Sequence, residues 1–192
     1  MKNTALNIVL FFIVITCISC SKISENIQQD IIVNDTAFFD IPVLNSITNT
    51  TPIQGIPFTL NLEEEVKSGL NKYTIDQIKS TKLRSMNMSL AFIGKDTSGK
   101  DSIDTKNNFG NLEYLRLRIA ANGNFANLAN TTITSSGTVG ALALNPVIVP
   151  DSLRTFLTNP IKTYEVIVKA KTVTTLPIRV RATSTYIITL AK

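Results

Sequence analysis

The chain has no histidine and no tryptophan, and its 2 cysteines, Cys17 and Cys20, both lie near the N-terminus. Without imidazole the commonest general base and the commonest zinc ligand are missing. With no cysteine after position 20, the body of the chain has no thiol nucleophile and no disulfide. Basic residues number 19 and acidic residues 14, a net charge of +5 in 192 residues. That excess is too small, and too little interleaved with aromatic side chains, for a nucleic-acid surface. Only 4 tyrosines are present, which leaves little material for the stacking platform of a sugar-binding face. No apolar run approaches the roughly 20 residues needed to cross ~30 Å of hydrocarbon. The longest spans residues 8–15.

That run is informative for what surrounds it. Lys2 precedes it, and small residues follow it in Thr16-Cys17-Ile18-Ser19-Cys20-Ser21. A positive start, a short apolar segment and small residues at its end describe a cleaved secretory signal. The segment ending in Ser19-Cys20 resembles the lipobox of bacterial lipoproteins, in which a small residue precedes the cysteine that is diacylated before cleavage. The resemblance implies a leader over residues 1–19, an acylated Cys20 and a membrane anchor through the N-terminal lipid. Ser21, in place of an aspartate, implies outer-membrane delivery, with the protein facing the periplasm or the exterior. The sequence departs from the pattern at Cys17, where a leucine is usual. Two other readings are Cys17 itself as the modified residue and an ordinary cleaved signal with incidental cysteines. Anchoring by acyl chains is energetically sound, since each buried CH₂ adds ~0.8 kcal/mol and more than one chain is needed.

On that resemblance residues 20–30 would be an acylated cysteine and a polar tether, and residues 31–192 read as one domain. Strands are expected from Ile31 to Val43, from Ile53 to Leu62, from Lys82 to Phe92, around Leu115 to Ile119, over Val139 to Leu144, from Tyr164 to Ala170 and from Ile178 to Leu190. In most of them apolar and polar residues alternate. The stretch from Phe125 to Ser136, rich in Asn, Thr and Ser, reads as a loop with at most one short strand. Asn61 caps a short helix with Glu63, Glu64 and Glu65 in its first turn, where carboxylates oppose the positive end of the dipole. Thr74 and Gln77 form a capping box, and Asp151 caps a short helix carrying Leu153, Phe156 and Leu157. Alternation with one buried and one wet face, about seven or eight strands and two or three short helices predict an all-β, two-sheet antiparallel sandwich. A small up-and-down barrel is the alternative. The pattern is similar to the immunoglobulin-like sandwich domains of uncharacterised outer-membrane lipoproteins, a likeness that transfers no site residue.

Several motifs invite chemistry. Gly94, Gly99 and Lys100 after a strand imitate a phosphate-binding loop, but Asp101 stands where a hydroxyl must meet Mg²⁺, and its charge repels phosphate. Nucleotide is therefore not expected. Asp96, Asp101 and Asp104 lack the alternation of a calcium loop and have Lys95, Lys100 and Lys106 among or beside them. No metal or cofactor is expected. Arg116, Arg118, Lys169, Lys171, Arg179 and Arg181 fall on wet strand faces. They are the candidate ligand-binding residues for an anionic glycan, a lipid headgroup or an acidic partner, against the plainer reading of charges that discourage edge aggregation. Asp35-Thr36-Ala37, Asp101-Ser102-Ile103 and Asp151-Ser152-Leu153 resemble the O-glycan acceptor of some Gram-negative exported proteins, which makes Thr36, Ser102 and Ser152 candidates. A hydrolase would require carboxylates such as Asp40, Asp76 and Glu113 to converge, and a surface-fibre subunit would exchange its N-terminal strand. The expectation is a non-catalytic, lipid-anchored structural or protein-interaction module with an envelope partner. Binding of an anionic or apolar ligand is the alternative.

Overall fold

The computed structural model describes residues 28–70, 72–91, 94–95, 101–147 and 152–191. The leader, Cys20, the tether up to residue 27, Asp96 to Lys100 and Asp151 lie outside the described residues. The strands are β1 (Gln28–Ile41), β2 (Thr50–Pro57), β3 (Ile78–Leu90), β4 (Gly94–Lys95), β5 (Asp101–Ser102), β6 (Leu112–Ala121), β7 (Asn124–Thr132), β8 (Ala141–Pro146), β9 (Lys162–Ala170) and β10 (Ile178–Ala191). The helices α1 (Leu62–Gly69) and α2 (Ser152–Leu157) and two 3₁₀ turns, Ile75–Gln77 and Phe109–Asn111, complete the fold.

Eight strands form one antiparallel sheet in the order β1-β10-β3-β8-β7-β6-β9-β2, curled into a half-barrel, while β4 and β5 pair as a small hairpin. The all-β, antiparallel reading of the alternating segments is what the chain adopts. Hydrogen bonding is continuous because β8 pairs with β3 over Met86 to Ser89 and with β7 through Ala129 and Asn130. Within the eight-stranded sheet only β6, β7 and β8 are consecutive in both sequence and space, which is not the order of an up-and-down barrel.

The inward residues explain the curl. In β10 every second residue from Ile178 to Leu190 is buried, and in β9 Tyr164, Val166, Val168 and Ala170 are buried as their spacing predicts. β10 and β9 stand second and seventh in the sheet, yet the Tyr164 and Tyr186 hydroxyls lie 2.9 Å apart. The curl therefore brings β9 and β10 together across the core, and just after β2 the Thr59 amide donates to Asp35 Oδ1 of β1 at 3.2 Å. At the opposite end of the hairpin logic, Asn122 (φ 50°) and Gly123 (φ 75°) join β6 to β7 in the left-handed conformation that suits the twist of a two-residue turn. α1 starts as expected: Asn61 Oδ1 accepts from the Glu64 amide, Lys67 pairs with Glu63 at 2.7 Å, and Leu62 and Val66 are buried.

Three segments correct the sequence reading. β1 begins at Gln28, inside the expected tether, because residues 28–30 pair with residues 189–191. β3 begins at Ile78 rather than Lys82, and shifts of register at Thr185/Tyr186 and Thr189/Leu190 break its period of two. β7 is a nine-residue strand where a loop was expected. A bulge opposite Leu117/Arg118 buries Leu128 and Ala129 in succession, which erases the alternation.

Candidate functional site

The six basic candidates do not form one stripe. Arg116 and Arg118 on β6 adjoin Lys169 on β9, with Lys171 just beyond it, whereas Arg179 and Arg181 lie on β10 in the other half of the sheet. Pairing reduces their charge further. Lys169 Nζ lies 2.9 Å from the Glu113 carboxylate, and Arg179 lies 3.5 Å from Asp40 in an exposed pair. Lys171 donates to the Ser135 carbonyl at 2.7 Å.

Arg118 has the most elaborate setting. Its Nε donates to Glu165 Oε2 at 2.8 Å, a second guanidinium nitrogen donates to the same oxygen, and Gln54 Nε2 donates to Oε1 at 3.1 Å. Its guanidinium carbon sits 4.4 Å from the centre of the Phe125 ring, within cation–π range. Glu165 falls in the polar phase of β9, between Tyr164 and Val166, yet it is only 2% exposed, because Arg118 and Gln54 cover it from the neighbouring strands. Arg116 repeats the arrangement one step along β6. Its Nε donates to the Tyr114 hydroxyl, and its guanidinium carbon lies 5.4 Å from that ring's centre. The solvent face of β7, β6, β9 and β2 thus carries two arginines held against aromatic rings, with Phe125 48% exposed beside them.

Sequence reasoning missed a polar cluster inside the core. Ser184 Oγ donates to the Asp35 carbonyl at 3.5 Å and lies 3.0 Å from the Tyr164 hydroxyl. With the serine proton so used, Tyr164 donates to Ser184 and Tyr186 donates to Tyr164, so all three hydroxyl protons have acceptors. Phe58 packs on both tyrosines at centroid distances of 5.0 and 6.3 Å. Burial pushes both phenols well above their ordinary values. Burial also lowers the pKa of Lys162, against the pull of the Asp35 charge, and its ammonium donates to the Asn159 carbonyl at 2.9 Å. These groups form a closed relay that ties β1, β9 and β10 together, and at neutral pH the phenols act as hydrogen-bond groups. The available signal was the polar residue at position 184, in the inward phase between Ala182 and Tyr186.

The other candidates disperse. Thr36 lies within the paired edge strand β1, Ser102 in β5 and Ser152 at the start of α2. Asp101 lies in a strand paired back to Lys95, not at the mouth of a helix as a phosphate loop requires. Asp104 accepts from Asn107 Nδ2 at 2.7 Å and the Lys106 amide at 2.8 Å, bonds that lower its pKa. Asp40 and Glu113 are engaged in separate ion pairs, and Asp76 sits in the 3₁₀ turn before β3. Among the described residues no helix is long and apolar enough to cross a membrane. No family model, curated protein or solved structure matches the chain.

Proposed function

We propose that the chain is a lipid-anchored cell-envelope protein, held in the outer membrane through acylated Cys20, whose β domain is a non-catalytic protein-interaction module. The observation that carries the interaction reading is the Arg116–Tyr114 and Arg118–Phe125 pairing on the open face of β6 and β7. Arginine and aromatic side chains are enriched in protein interfaces and at their energetic centres. Here the buried Glu165, itself held by Gln54, fixes Arg118 before any partner arrives, which lowers the ordering cost of association. Capture of a simple anion has less support, because carboxylates already face Arg118, Lys169 and Arg179. We read the half-barrel as two four-stranded leaves in the manner of a sandwich. The two-pair joint between β7 and β8 and the contact of Tyr164 with Tyr186 support that reading.

The anchor is tested by labelling with an alkyne fatty acid in a Gram-negative host, comparing wild type with Cys20→Ala and Cys17→Ala. Label and outer-membrane fractionation lost only in Cys20→Ala agree with the reading. An unlabelled, soluble wild-type protein removes it.

A further inference from the structure

We infer that the seam between β3 and the β7–β8 pair is a binding site for a small, neutral, apolar molecule bearing one hydroxyl or carbonyl group. Below Met86, β3 has no partner in β8, since their pairing covers only Met86 to Ser89. The register shift near Thr185 and Tyr186 bends β3 and turns Leu83 and Thr81 to the inner side, opposite Tyr186 and Ile188. A cavity of about 220 Å³ opens there, lined by Thr81, Lys82, Leu83, Leu128, Pro146, Val147 and, from α2, Leu153. Leu128 and Leu153 are buried core residues.

One feature of the lining specifies more than grease. Thr81 is 4% exposed, and its hydroxyl has no hydrogen-bond partner among the described residues. A buried hydroxyl without a partner is costly, and a ligand that supplies one recovers that cost. Polar groups set singly in an apolar wall are how such pockets orient their ligands. Scaling from the roughly 150 Å³ cavity that holds a six-carbon ring, this one accommodates on the order of nine non-hydrogen atoms. Lys82 is exposed to solvent, and the match needs no charge from it. The site is separate from the β6–β9 face and does not depend on the interaction reading.

The probes are 4-propylphenol and its hydrocarbon counterpart propylbenzene, added to the full chain purified as exported, with methyl-labelled Leu and Val followed by NMR. Binding is expected to move the methyl signals of Leu83, Leu128, Val147 and Leu153 and to raise the Tm. Thr81→Val keeps the shape and removes the hydroxyl. It is expected to weaken the phenol roughly tenfold, the size of one neutral hydrogen bond, to leave propylbenzene unchanged, and to raise the Tm of the free protein. Leu153→Phe fills the cavity and is expected to abolish both titrations. The inference is overturned if neither probe moves these methyls, if Thr81→Val weakens both probes equally, or if Leu153→Phe, folded by its NMR spectrum, still binds both.

Discussion

Replacing Arg118 by Met strands the Glu165 carboxylate, 2% exposed in the native fold, with Gln54 its one remaining donor among the described residues. Breaking a buried ion pair from one side costs about 3–5 kcal/mol, because the stranded charge keeps its desolvation penalty. The Arg118 side chain is 24% exposed, so water reaches the cavity that Met leaves, and the lower end of that range, about 3 kcal/mol, applies. In a domain of this size that loss lowers the Tm by roughly 6–12 °C. The partner substitution Glu165→Leu, made together with Arg118→Met, replaces the pair with apolar groups of similar length and is expected to return most of the stability. Urea unfolding of the two single variants and the double variant gives the coupling energy directly. A cost below about 1 kcal/mol for Arg118→Met, or a double variant no more stable than either single one, refutes the idea that Glu165 is a buried charge held by Arg118.

Other outcomes follow from the same structure. Of the 4 tyrosines, Tyr164 and Tyr186 have phenol pKa values raised by burial, so their absorbance change near 295 nm is expected only with unfolding. Because the folded values lie above the unfolded value of about 10, the relay's contribution is full below that pH and is lost as pH rises beyond it. A denaturation series from pH 8 to 11.5 checks the sign. Gly123→Ala places a side chain at φ 75° and is expected to cost about 1 kcal/mol, read as a lower urea midpoint at unchanged slope. Thr59→Val removes the hydroxyl that donates to Asp35 Oδ1 and is expected to cost about 1–2 kcal/mol, with faster amide exchange in β1 and β2.

How far the sequence could be read depended on how regular each strand is. β9 and β10 keep a strict period of two against a single core, so Tyr164 to Ala170 and Ile178 to Leu190 declared their buried faces in advance. The Asn122-Gly123 turn and the Asn61 cap were equally legible, because each rests on local backbone chemistry. β7 was not legible, since a bulge puts Leu128 and Ala129 inside in succession among Asn and Thr residues that elsewhere signal loops. The burial of Glu165 was hidden for a different reason. Its cover comes from Arg118 on β6 and Gln54 before the end of β2, positions 47 and 111 residues away, and strand order is not written in alternation. The same ignorance of strand order left open whether Arg116, Arg118, Lys169, Lys171, Arg179 and Arg181 share one surface, and the sheet order sets β10 well apart from β6 and β9.

The interaction reading meets its most direct test in the native envelope. A photo-crosslinking amino acid is placed at Ile167, on the β9 face between Arg116 and Pro52, and in a second strain at Thr183, on the outer face of β10. The expected result is one discrete adduct from position 167, abolished by Arg116→Ala with Phe125→Ala in the same chain and absent from position 183. No adduct from 167, or adducts of equal yield from both faces that survive the Arg116 and Phe125 substitutions, contradicts a module that works through the arginine–aromatic face.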